Sequence, residues 1–490
     1  MLPRMLLSTT EQPADSSKST DVLAILLVAM PLLALIPKYF LIQRTLGATG
    51  AQIFDTGFGF GDYVRSLLTD GSFRSCSTSP YDGCSAPVCN YATRMPGLPV
   101  LYAVLTKVVG SKSASVALAK STATAGLLAC LLWVFGRNAR LSIVAVVVLY
   151  ALYFGPQALK HGASLDYEEG LLLDLELCLA VAVTYLLRVE LTASRVQSTA
   201  MAIIAVLLAT AMYFVKATAL LTLVMVLLLV FSSSQVRVAG KGIALVCVAV
   251  PFALWILHNL ASSGGVHVSS SWNGENLYRG ASSEALAIYP QISLDRLFDS
   301  RQARLAGGRV LPLGNLRSRQ CFSDEWAWND FYSHQARSWI GQHPWDAARF
   351  QLEKLWVTVF EVRHTPYSTS ADGAATEYPP AINLIMLIWM GFARLVFLVL
   401  VVFLIRDSRA GVGSAQGRRA LWTLTLLGAA WVPYIAVFGY QRHVVPLLVM
   451  AGMLLASLYL AEPRRNASSV VGIEPRGGAR ELLIRAGEAR

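Results

Sequence analysis

The chain has 490 residues, 55% hydrophobic and 14% charged, with a mean hydropathy of +0.51, where soluble domains carry about 25% charged residues. That composition excludes an ordinary soluble enzyme, and recurrent apolar runs near the ~20 residues needed to cross a ~30 Å hydrocarbon core predict an all-α polytopic membrane protein. The 41 Lys and Arg against 30 Asp and Glu are assigned first to cytoplasmic loops, so no nucleic-acid partner is expected.

Residues 1–19 are polar and read as a disordered cytoplasmic tail. The first apolar run, near 20–41, lacks a small-residue cleavage site and reads as a signal anchor. An outer segment, 42–112, follows. Further spans are expected near 113–136, 141–158, 169–187, 198–214, 217–233 and 240–258, which closes an N-terminal membrane module over 20–258. A large outer loop covers 259–379, then come spans near 380–405, 420–438 and 444–461 within 380–462. The basic stretch 463–490 is a second cytoplasmic tail. That makes about ten spans. Arg137, Arg140, Arg188, Arg195, Arg237, Lys241, Arg406, Arg409, Arg418 and Arg419 fall on the inner connections, so both termini are expected in the cytoplasm and the protein in the plasma membrane. Two large exoplasmic segments suggest chemistry or recognition at the outer face.

Cys76, Cys84, Cys89 and Cys321 lie on the oxidising side, which predicts one or two disulfides among them, Cys76 with Cys84 or Cys89 first. Cys130, Cys178 and Cys247 fall in spans and read as packing residues.

In the first outer segment, Asp55 precedes Phe60, Tyr63 and Leu67, spaced as an amphipathic helix at the membrane surface. Arg94-Met95-Pro96-Gly97-Leu98-Pro99 then leads into an apolar stretch too short to span. Asp166-Tyr167-Glu168-Glu169 forms an acidic cluster at the outer end between the third and fourth spans. Within the fourth span, Asp174 and Glu176 are costly in lipid and should line a cavity or pair with a cation such as Lys120. Lys216 interrupts an otherwise apolar run, and Arg442 sits at the turn before the last span. A cation at that depth can neutralise a lipid phosphate or simply snorkel to the interface. Trp272, Trp326, Trp328 and Trp339 can stack on sugars, but anchoring to headgroups is the favoured reading.

Taken in order, these stretches resemble the GT-C glycosyltransferases, the polyprenyl-phosphate-sugar-using families that include protein O-mannosyltransferases and aminoarabinose transferases. Asp55 through Gly71 resembles their D-x3-Y-x3-A-x2-L-x2-G pattern, with Gly59 where the pattern has tyrosine, and 94–99 resembles R-x-P-G-Y-P. Trp255 to Asn259 followed by Ser271 to Gly280 resembles P-W-x-x-R-N and S-T-N-x-G-x-N-L-x-x-G, with His258 in place of arginine. Gln441-Arg442-His443-Val444-Val445-Pro446 resembles R-Y-R-x-P. The resemblance implies a GT-C-like helix bundle with outer juxtamembrane helices and a hexosyl or pentosyl transferase.

It also implies a catalytic acid on the first outer loop, Asp55 or else Asp62. Arg94, Asp166, Glu168, Glu169, Lys216, Asn276, Arg279, Arg442 and His443 are the candidates for contacting substrate. The expected partners are a polyprenyl-phosphate sugar donor, a glycan, lipid or protein acceptor at the outer face, and the bilayer. No cofactor is required; a divalent metal on Asp166 and Glu168 is the one candidate, and no metal ligand is assigned. The alternative class is a non-enzymatic translocase or assembly component for lipid-linked sugars, in which the buried acids and Lys216 line a path.

Overall fold

The computed structural model describes residues 16–55, 60–76, 89–165, 168–188, 194–290, 294, 302–304, 310–312, 322, 324–360, 380–437 and 441–463. Its first helices are α1 (Ser16–Leu33) and α2 (Leu35–Ile42), which run on into a π turn over Gln43–Gly47. The outer helices α3 (Phe60–Thr69) and α4 (Gly97–Val109) follow. Then come α5 (Ser113–Asn138), α6 (Ile143–Tyr153), α7 (Pro156–Ala163), α8 (Glu169–Arg188), α9 (Arg195–Val215), α10 (Leu220–Ser232) and α11 (Val238–Ser263). The outer helices α12 (Asn273–Gly280), α13 (Ser283–Ile288), α14 (Glu325–Gln342) and α15 (Pro344–Phe360) lead back to α16 (Pro380–Ser408), α17 (Ala415–Ala436) and α18 (Gln441–Tyr459). Two short antiparallel ladders, Ala139–Leu141 with Ala461–Pro463 and Gln302–Arg304 with Val310–Pro312, complete the described elements.

Local chemistry accounts for the helix starts. Ser142, Ser194 and Ser414 accept the N–H three residues on and so cap α6, α9 and α17, while Asp324 accepts from Trp326 and Ala327 at the head of α14. Pro156 stands at the first position of α7. There α6 and α7 bend by 56°, and a Cβ on Gly155 would lie 1.8 Å from Trp389 Nε1. Only glycine admits that approach.

All ten expected spans fall on helices, but among the described residues six are long and apolar enough to cross, or seven counting the bent α6–α7 pair. The remaining expected spans fall on shorter or less apolar helices. α10 is shortened because Lys216 breaks the run and a 3-10 turn, Ala217–Ala219, takes its first residues. α18 is also short, and α17 starts on the polar stretch containing Arg418 and Arg419.

α8 is the central helix, 94% of its best window buried, and packs on α9, α18, α5 and α7. That burial places its acids. Asp174 meets Lys38 of α2 at 3.6 Å, and accepts from the hydroxyls of Thr124 (2.6 Å) and Tyr153 (2.8 Å). Lys38 also donates to Tyr153 at 3.2 Å. The expected partner, Lys120, instead donates to the Ser164 carbonyl, because α7 folds its C-terminal end over Lys120 while α2 brings Lys38 to Asp174.

A second hydrophobic cluster, built from Tyr278, Ile288, Phe322, Trp328, Tyr332 and Phe350, lies entirely within residues 259–379, apart from the span core.

Candidate functional site

Charged side chains converge where the ends of α8, α9 and α18 meet. Glu169, first residue of α8 and only 1% exposed, accepts from Lys216 Nζ at 2.6 Å and lies 2.8 Å from His443 Nε2. Lys216 sits in extended backbone at the break between α9 and α10, so its side chain leaves the helix ladder and turns to α8. His443 stacks on Tyr434 of α17 at 5.0 Å between ring centroids, and Lys216 Nζ is 5.6 Å from the same ring. The Tyr434 hydroxyl is reached by Thr218 at 3.4 Å. Seven residues deeper on α8, Glu176 is buried, and its Oε2 has no hydrogen-bond partner among the described residues.

Beside this cluster, Glu168 pairs with Arg94 at 3.4 Å. The Arg94 guanidinium lies 3.8 Å from the Trp272 ring centroid and 4.9 Å from Phe60, a cation–π sandwich. Arg94, Glu168 and Lys216 keep 11%, 15% and 17% of their side-chain surface exposed, so they form the rim, with Glu169 and His443 as its floor.

The segment carrying Arg94 is held from several directions. Tyr91 and Ala92 donate their N–H groups to Glu325 at 2.8 and 3.0 Å, and Ser271 Oγ donates to the same carboxylate at 2.9 Å. Ser75 and Asn90 exchange backbone bonds at 2.8 Å, and Cys76 is bonded to Cys89. Cys84 and Cys321 lie outside the described residues. Tyr63 and Thr93 share a 2.7 Å hydroxyl contact. Burial pushes the Glu325 carboxyl above its ordinary range despite these donors, and with the Glu325 charge nearby it drives the Tyr63 hydroxyl far upward.

Not every candidate joins the cluster. Asp55 ends a short 3-10 turn, is exposed, and accepts the Gln52 N–H at 3.1 Å. Asp62 on α3 faces Arg65 at 3.8 Å and accepts from Ser75 Oγ at 3.3 Å. Among the described residues neither acid forms a hydrogen bond or ion pair with Glu169. Arg279, a candidate for substrate, is buried and paired with Glu275 one helical turn earlier on α12. Asn276 is partly buried on α12, its N–H bonded to the Trp272 carbonyl at 3.0 Å. Asp166 and the Arg442 side chain lie outside what is described. Trp328 is buried in the outer cluster and Trp326 stacks on His267 at 3.5 Å, which leaves Trp272 as the one of the four indoles that touches the rim. Among the described residues no group of three or more His, Cys, Asp or Glu could hold a metal ion. Neither Tyr434 nor Glu325 carries a local sequence signal for these roles.

No family model matches the chain, and no curated relative does. Among solved structures it is similar to ArnT from Cupriavidus metallidurans bound to undecaprenyl phosphate, at 12% identity over 91% of this chain and 78% of that one, with a TM-score of 0.34. Overlap that low transfers neither fold nor chemistry.

Lys354 joins the outer helices to the site. Fully buried on α15, it donates to the Gly280 carbonyl at 2.7 Å and the Val437 carbonyl at 3.0 Å, tying the end of α12 to the end of α17. A Cβ on Gly280 would lie 1.2 Å from Val437 O. Burial pulls the Lys354 ammonium down to about 7 from 10.5. Between those values the unfolded chain holds the proton and the folded one does not, so this group makes stability rise with pH across that window. Lys354→Met should flatten the rise in melting temperature between pH 7 and 9, measured by thermal unfolding of the detergent-solubilised protein; an unchanged slope would contradict it.

Proposed function

We propose that this chain is a GT-C-like membrane glycosyltransferase that moves a sugar from a polyprenyl-phosphate donor to an acceptor at the outer face of the plasma membrane. The observation that carries this reading is the meeting of Lys216 and Arg94 with Glu168, Glu169 and His443 between apolar helix ends. A lipid-linked donor keeps its chain in the bilayer and its phosphate at the headgroup level, where such rim cations can neutralise it. Transfer requires charge stabilisation of the departing phosphate and a base for the acceptor hydroxyl. Lys216 and Arg94 serve the first need and Asp55, on the outer segment before α3, the second. The ordered sequence patterns from Asp55 to Pro446 support the same reading.

Purified protein given a polyprenyl-phosphate sugar and an acceptor should release polyprenyl phosphate. Movement of the intact lipid across liposomes without cleavage would replace the transferase by a translocase. Lys216→Ala should weaken donor binding roughly 10- to 100-fold, since a hydrogen bond to a charged group contributes about 1.5–3 kcal/mol. Unchanged donor affinity would return Lys216 to interface snorkelling.

A further inference from the structure

Lys216 is not waiting free for a phosphate. Its sole hydrogen-bond partner among the described residues is Glu169, at 2.6 Å. Glu169 in turn is shared, with His443 Nε2 2.8 Å from the same Oε1 atom. These two partners differ in position: Lys216 is 17% exposed and faces the rim, whereas His443, 2% exposed, lies on the floor against Tyr434. An anion arriving from the rim therefore meets Lys216 first and Glu169 behind it. Around that point stand Glu168 paired to Arg94, Glu176 on the same helix, and the Tyr434 hydroxyl. Two acids, Glu168 and Glu169, already pair with the two permanent cations, Arg94 and Lys216. A phosphate added to this group is repelled by Glu169 while competing with it for the same ammonium, unless His443 takes a proton and compensates Glu169.

We infer that Glu169 is a built-in counter-anion that occupies Lys216 in the donor-free protein and is taken over by protonated His443 when a phosphate monoester or diester binds. This deepens the transferase reading and rests on it for the identity of the phosphate. Glu169 thereby limits affinity for the lipid phosphate, in particular for the polyprenyl phosphate that must leave after transfer. The consequence runs against the usual effect of a substitution in a binding site: removing this acid strengthens binding.

The test uses the full-length protein in nanodiscs, with undecaprenyl phosphate and inorganic phosphate as separate probes, at pH 6.5 and fixed ionic strength. Glu169→Gln, which keeps size and polarity, should bind undecaprenyl phosphate about tenfold tighter than wild type, as expected for removing one like charge a few ångströms away. That gain should vanish in Glu169→Gln/Lys216→Met. His443→Gln removes one partner of Glu169 and should bind several-fold more weakly, with the pH dependence of wild-type binding between pH 6 and 8 reduced to that of the phosphate's own second ionisation. Weaker or unchanged binding by Glu169→Gln overturns the inference. If that variant does not fold, wild-type affinity and wild-type pH dependence in His443→Gln overturn it. Tighter binding of inorganic phosphate by Glu169→Gln through Lys216, with no form binding undecaprenyl phosphate, supports the counter-anion and removes the lipid donor. Wild-type binding of undecaprenyl phosphate with no gain in Glu169→Gln does the reverse.

Discussion

Asp174→Leu, with Lys38 retained, should destabilise the protein by about 3–5 kcal/mol, because it strands a charge inside the bundle. Lys38 is 1% exposed and Asp174 2%, so neither can reach water by a rotamer change. The substitution also leaves the Thr124 and Tyr153 hydroxyls, now donating at 2.6 and 2.8 Å, without that acceptor. Replacing both charges, Lys38→Met with Asp174→Leu, should recover most of the loss, since a packed apolar pair avoids the desolvation of two ions. Denaturant unfolding of the three variants in mixed micelles measures the difference. A double variant no more stable than Asp174→Leu would mean that the hydroxyl network, and not the charge pair, holds α2, α5 and α6 to α8.

The second large effect concerns Asp55. Asn at this position can still accept the Gln52 N–H, but it cannot take a proton at neutral pH, so the substitution separates chemistry from shape. If Asp55 is the base for the acceptor hydroxyl, turnover should fall by roughly 10²–10⁴-fold with donor affinity and melting temperature nearly unchanged. Asp62→Asn should do far less, because Asp62 is engaged by Arg65 and Ser75 on α3. The opposite ranking would move the role to Asp62. Wild-type turnover in both would direct attention to Glu168 and Glu169, the acids that already share the site with Lys216 and Arg94.

The helices were legible because apolar runs of span length, serine caps and a proline at the head of α7 are local signals. Both the signal-rich acids of α8 and the Lys216 break were visible as costly residues in apolar surroundings. Their pairing was not. Lys38 and Asp174 are 136 positions apart, and Lys120, much nearer in sequence, was the reasonable partner until α7 came to lie over it. Nor was the pairing of Arg279 with Glu275, one turn away on α12, visible. A break at Lys216 and a polar start to α17 shorten or dilute the apolar runs there.

By itself, then, the sequence determined a multi-pass helical membrane protein with two large segments between its apolar runs, and it marked Glu168, Glu169, Lys216, Arg94 and His443 as charges that need an explanation. Burying an ion in apolar surroundings is expensive wherever it occurs in a chain, so composition and spacing alone expose it. Which charges meet was decided only by tertiary structure. The ends of α8, α9 and α18 bring Glu169, Lys216 and His443 within 2.6–2.8 Å, and Glu325 fastens the Arg94 segment from the head of α14, more than 200 residues away. Electrostatic pairing depends on distance in space and on the donors each oxygen can reach, and neither quantity is written in the order of the residues.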